Sequence, residues 1–169
     1  MVGDAYIEVR EAILGLRSSG SGAERSLADA LSDYVERYRE QSGVDVALEI
    51  GDAVSQSRLA PVVEVQLVRI VQEALANVRK HARTDRALLR LDVVVGGGGP
   101  RLRATVSDAG RGFDLDAGTM HARFGLTIMR ERAEGVGGTF GVETAPGRGT
   151  RVVVEMPLET AAPGAVIDA

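Results

Sequence analysis

The sequence lacks cysteine, long apolar runs and any excess of positive charge, and each absence removes a class of function. With zero cysteines, disulfide frameworks, cysteine-based zinc sites and thiol catalysis are excluded, which fits a reducing, cytoplasmic setting. No stretch approaches the ~20 apolar residues that a membrane-spanning helix needs. No basic segment followed by an apolar run opens the chain, so no secretory leader is expected. Twenty Lys and Arg against 24 Asp and Glu leave a net charge of −4, which argues against a nucleic-acid groove built on bulk charge. Neither G-x-x-x-x-G-K-S/T nor G-x-G-x-x-G occurs, so a P-loop and a dinucleotide fingerprint are both missing. What remains is a chain of 169 residues, 44% hydrophobic and 26% charged, enough for one globular domain with a sizeable core.

Apolar periodicity sets the organisation. Tyr6, Val9, Ile13 and Leu16 recur at a 3-4-3 spacing that lays a narrow seam along a helix, and the polar run Ser18-Ser19-Gly20-Ser21-Gly22 closes it. A second helix is expected over 24–41, with Leu27, Leu31, Tyr34, Val35 and Tyr38 on one face and Gly43 as its stop. Val44, Val46, Leu48 and Ile50 alternate as in a half-buried strand. Pro61 suits a helix start, and Val63, Leu67, Ile70, Val71, Ala74, Leu75, Val78 and Ala82 follow a helical period of about six turns. Strands are expected over 88–95 and 101–106, joined by a hairpin at Gly96-Gly97-Gly98-Gly99-Pro100. An irregular glycine-rich stretch then leads to a short helix over 125–134 and to strands over 139–144 and 150–156, with a loose tail from 159 to 169. Sequential strands without intervening helices predict an α+β fold: helices on one face of a mixed sheet, in a domain spanning 23–158 behind an appendage of 1–22.

Chemistry concentrates in three places. On the long helix, Glu73, Asn77, Lys80 and His81 fall on one stripe beside the apolar face. A carboxylate and a carboxamide oxygen suit Mg²⁺, and an ammonium one turn on suits phosphate oxygens. The same spacing also fits an ordinary solvated helix face. After the strand ending near Val106 comes Asp108-Ala109-Gly110-Arg111-Gly112-Phe113. There Asp108 can accept from an exocyclic amine, and Gly110 and Gly112 permit close approach to a flat ring or a phosphate; a plain Asp-Gly turn would look the same. The third place pairs Arg123-Phe124-Gly125-Leu126, read as a helix start with free N–H groups for an anion, with Gly147-Arg148-Gly149-Thr150 before the last strand. A helix cap and a hairpin turn would account for these equally.

Order and spacing together decide the matter. Over 26–158 the chain closely resembles the ATP-binding catalytic domain of two-component sensor histidine kinases, in the superfamily shared with DNA gyrase B, the 90 kDa heat-shock chaperone and MutL. Residues 73–82 resemble its N box, 108–113 its G1 box, 124–133 its G2 box and 147–150 its last glycine box. The Met-Arg-Glu-Arg-Ala wording at 129–133 and the Lys-His ending of the N box are similar to the nitrate-sensor type, which phosphorylates response regulators with a helix-turn-helix output.

The resemblance implies a Bergerat-type two-layer α/β sandwich holding ATP and Mg²⁺. It implies that Asn77 coordinates Mg²⁺, that Lys80 contacts the phosphates with His81 close by, and that Asp108 binds the adenine amino group with Thr150 near the base. Gly110, Gly112 and Gly125 would shape the pocket, with Phe124 and Leu126 beside the nucleotide, and 114–123 would form a lid. Glu73 stands where superfamily ATPases hold a general base, and Ala109 departs from the acidic or amide residue usual there. Residues 5–17 look like the end of a dimerisation stem whose phosphoacceptor histidine is missing, since the only histidines are His81 and His121. Expected partners are thus ATP, the histidine-bearing stem and a response regulator, in a homodimeric full-length kinase without direct nucleic-acid contact. The alternatives are an anti-sigma-factor-type serine kinase, disfavoured by the seam, and a non-catalytic module with a decayed pocket.

Overall fold

The structure is a computed structural model describing residues 25–117 and 120–160. The apolar seam at 6–16, Gly118 of the expected lid and most of the tail lie outside those residues.

Helix α1 (Leu27–Ser42) starts where Ser26 Oγ accepts from Asp29 N at 3.1 Å and ends where Gly43 takes φ 72°, its N–H donating to Arg39 O. Such caps satisfy backbone groups that helix ends leave unpaired, and the serine cap contributes about 1 kcal/mol. Helix α2 (Pro61–Asn77) opens on Pro61, whose missing N–H costs nothing in a first turn. Every apolar position of its expected period, from Val63 to Ala82, is buried. The final turn differs from the expected regular helix: Val78–Ala82 is a π turn, and Arg83 ends it in the left-handed region at φ 52°.

Five strands form one mixed sheet: β1 (Asp45–Ile50), β2 (Arg86–Gly96), β3 (Gly99–Asp108), β4 (Thr139–Thr144) and β5 (Thr150–Pro157), in the order β1-β2-β3-β5-β4. β1 and β2, separated by α2, run parallel; every other pair is antiparallel. This is the expected α+β arrangement. Period-2 alternation sends Leu89, Leu91, Leu102, Ala104, Val152 and Val154 into the core beneath α2 and helix α3 (Met120–Glu134), which adds Met129 and Ala133. Alternate positions carry charge, with Arg103 paired to Glu155 at 2.6 Å and Arg90 to Asp92 at 2.7 Å across the open face. Among the described residues, no helix is long and apolar enough to cross a membrane. The start of the tail is anchored rather than loose, because Glu159 N donates to Arg58 O at 2.8 Å.

Candidate functional site

A cavity of about 260 Å³ lies between the end of α2 and the C-terminal half of β3. Helix α2 and its π turn contribute Ala74, Asn77, Val78, His81 and Ala82; the sheet contributes Val106, Asp108, Thr150 and Val152; Leu126 comes from α3. Asn77 and Asp108, some thirty positions apart in sequence, thus face one space.

The π turn decides which N-box residues reach it. A π turn holds more residues than an α turn, so side chains beyond Asn77 rotate away from the positions a regular helix would give them. Asn77 and His81 line the cavity; Lys80 is exposed and outside the lining, and Glu73, half-buried, is outside it too. The single stripe of Glu73, Asn77, Lys80 and His81 is therefore divided. Glu73 and Asn77 instead meet at α3: a Cβ placed on Gly125 would lie 3.2 Å from Glu73 Oε1 and 3.8 Å from Asn77 Nδ2.

That contact corrects the reading of 123–126 as a helix start. Helix α3 begins at Met120, so Gly125 sits in its second turn, where the N–H groups serve the helix rather than an anion. Gly125 matters because its bare Cα lets α3 approach the N box. Residues 120–123 of the expected lid belong to this helix. Phe124 is exposed at 66% and outside the lining, whereas Leu126 belongs to it.

Backbone contacts weld three loops into one wall. Arg111 N donates to Ala82 O at 2.8 Å, Arg111 Nε to His81 O at 2.7 Å, and Gly147 N to Arg111 O at 2.6 Å. The glycines permit this closeness. A Cβ on Gly110 would fall 2.2 Å from Ala82 O, one on Gly112 2.0 Å from Ala145 O, and one on Gly149 2.0 Å from Asp108 O. Gly112 and Gly149 also take φ of 58° and 69°, where a side chain is strained in any case.

Asp108 is at the last position of β3, opposite Thr150. Burial raises its carboxyl above the ordinary aspartate range, and the backbone N–H groups of Gly110, at 2.8 Å, and Thr150 offset part of that rise. The neighbouring hydroxyls have a defined polarity. Thr144 Oγ1 accepts from Phe113 N at 3.1 Å and donates its one proton to Gly149 O at 2.9 Å. In its 3.1 Å contact with Thr150 Oγ1, Thr144 must therefore accept, and Thr150 donates. Asp108 and Thr150 are both left as acceptors toward the cavity, so the wall they form asks for N–H or O–H groups.

Sequence reasoning missed Thr144, whose role comes from register with Thr150 and not from a motif. It also missed the apolar lining of Ala74, Val78, Val106 and Val152, each of which reads equally well as core.

The structure is a two-layer sandwich with a glycine-walled cavity at one end of its sheet, and comparison supplies the family. The family model for histidine kinase-, DNA gyrase B-, and HSP90-like ATPases matches residues 62–160, and the chain belongs to that family. It is 34% identical over 162 residues to the sensor histidine kinase LiaS of Bacillus subtilis, covering 94% of this chain and 41% of that protein. It is 32% identical over 158 residues to the sensor protein VraS of Staphylococcus aureus, covering 94% and 43%. The chain thus spans about two fifths of the curated relatives it matches. Among solved structures, a histidine kinase domain from a blue-light activated kinase of Erythrobacter litoralis superposes with a TM-score of 0.59 at 22% identity, covering 90% of this chain and 71% of that one. Full-length ShkA in complex with AMPPNP gives 0.61 at 24% identity, covering 95% and 37%. These two establish the fold.

Proposed function

We propose that this chain is the ATP-binding catalytic domain of a sensor histidine kinase, which holds ATP with Mg²⁺ and presents the γ-phosphate to a histidine on a dimerisation stem. The observation that carries this reading is the joint presence of Asn77 and Asp108 in one cavity lined by apolar side chains. An apolar cavity with two acceptors at its wall suits adenine, whose amino group donates, and disfavours guanine, which carries a carbonyl oxygen at the same place. A volume of about 260 Å³ suits the nucleoside, leaving the phosphates toward the N-box side and the lid.

Among the described residues no group of three or more His, Asp or Glu side chains could hold an ion. That fits Mg²⁺ gripped by few protein atoms and otherwise by phosphate oxygens and water, with Asn77, adjoining Glu73, as the protein's contribution. Mg²⁺ there would neutralise phosphate charge. Lys80 and His81 would add positive charge and donors on the phosphate side. The stem imidazole nitrogen takes the γ-phosphoryl group and ADP leaves; the group then passes to a response-regulator aspartate. Most of the rate would come from positioning and charge neutralisation. The parent protein would be a homodimer working in the cytoplasm, and its regulator would carry a helix-turn-helix output, as expected of the nitrate-sensor type.

Incubation with γ-labelled ATP and Mg²⁺ tests the assignment. The chain should bind nucleotide without labelling itself, and should transfer label to a histidine-bearing stem added in trans, giving an acid-labile product. Phosphoserine on the acceptor, or stoichiometric phosphohistidine on the chain alone, would overturn it.

A further inference from the structure

The π turn in the N box has a visible cause outside the motif. In a regular helix the Leu75 carbonyl would accept from Arg79 N, four residues on. Here that carbonyl already has two donors: Val78 N–H, which it shares with Ala74 O, and the buried phenol of Tyr38, which reaches across from α1 and donates to it at 2.7 Å. A carbonyl has two lone pairs, so a third donor, the Arg79 N–H, is disfavoured there. Burial raises the Tyr38 phenol above its ordinary pKa, and a hydrogen bond from the Arg79 backbone N–H is among the contacts that offset part of that rise. A side-chain hydroxyl inserted in this way is one of the few established causes of local helix distortion, and the π turn begins at Val78, one residue before the displaced amide.

We infer that Tyr38 is a positioning residue for the nucleotide site: its hydroxyl holds open the Leu75–Arg79 step of α2, which sets the π turn and aims His81 at the cavity beside Asn77. This rests on the nucleotide reading above. Tyr38 is itself fixed, with Ser42 Oγ donating to its carbonyl at 2.6 Å and the Tyr34 ring 6.3 Å away. Without the hydroxyl, Arg79 N–H turns to the Leu75 carbonyl, the turn tightens toward α geometry, and His81 rotates relative to Asn77 on the regular helix and Asp108 on the sheet.

Tyr38→Phe keeps the ring and its burial while removing only the oxygen; Tyr34→Phe on the same helix face is the control. Three quantities are measured on the full 169-residue chain: affinity for MgATP, affinity for adenosine, and amide hydrogen exchange in the ligand-free protein. For Tyr38→Phe, MgATP affinity should fall roughly five- to tenfold, as expected for one lost hydrogen bond, with adenosine affinity within about twofold of wild type. Exchange at Ala82 and Arg83 should change by roughly tenfold while α3 is unaffected, and Tyr34→Phe should match wild type throughout. Unchanged exchange at the π turn overturns the inference, as does a parallel loss of MgATP affinity, adenosine affinity and melting temperature, which marks a merely structural role. If wild type binds no nucleotide, the nucleotide reading falls, and exchange at Ala82 and Arg83 alone decides the role of Tyr38.

Discussion

Two glycine-rich regions of this chain look alike in sequence and differ completely in structure. Gly96 to Gly99 form the β2–β3 hairpin, and a Cβ on any of them would meet nothing within 4 Å. Gly110, Gly112 and Gly149 are scattered among other residues, and a Cβ on each would strike a backbone oxygen at 2.0–2.2 Å. Density of glycine thus says little about function. Glycine held against another backbone marks the places where the site's walls close.

The sharpest break in that comparison comes from Gly112→Ala. It adds a methyl group against Ala145 O and forces a side chain into positive φ, and should cost about 3 kcal/mol or more by thermal unfolding. A loss near zero would mean that the loops are not welded as described.

Asp108→Asn comes next and acts on binding. Affinity for adenine nucleotides should drop roughly thirtyfold or more in calorimetry, while the melting temperature at neutral pH holds or rises. The sign follows from the raised carboxyl: the folded state holds its proton more tightly than the unfolded chain, so Asp108 costs stability once ionised. Between the ordinary aspartate value and the raised one, the Asp108 contribution to stability falls as pH rises. Nucleotide binding runs the other way, because the acceptor is lost as pH falls through that window. Melting and affinity followed as pH rises from the ordinary aspartate value should therefore diverge in wild type and lose that divergence in the variant.

Gly125→Ala is intermediate. The added methyl lies 3.2 Å from Glu73 Oε1, the far end of a flexible side chain, so a loss of about two- to fivefold in MgATP affinity is expected, with little change in stability. The smallest effect belongs to Gly98→Ala in the hairpin, within about 0.5 kcal/mol of wild type and without effect on binding.

Much of this was legible in the sequence, for identifiable reasons. The periods of α1, α2 and the strands come directly from burial, so the apolar face from Val63 through Ala82 and the strand spans could be placed without coordinates. Asp108 and Asn77 could be nominated because residue type and motif order agree. The start of α3 was not legible, because Gly125 resembles a boundary although it is an interior close contact. Nor was the π turn, since its cause is a tyrosine 37 positions from the carbonyl that it occupies. Thr144 escaped because its role depends on strand register with Thr150. Local pattern predicts elements; contacts between distant elements determine which of their residues face the site.

The most direct test is a calorimetric titration of the chain with ATP, with and without Mg²⁺, and with GTP, beside Asn77→Ala and Asp108→Ala. Wild type should bind ATP more tightly with Mg²⁺ and prefer it to GTP; Asn77→Ala should lose the Mg²⁺ dependence and keep the preference, and Asp108→Ala should do the reverse. Absence of ATP binding by wild type at millimolar nucleotide, or variants that both titrate like wild type, would contradict the account.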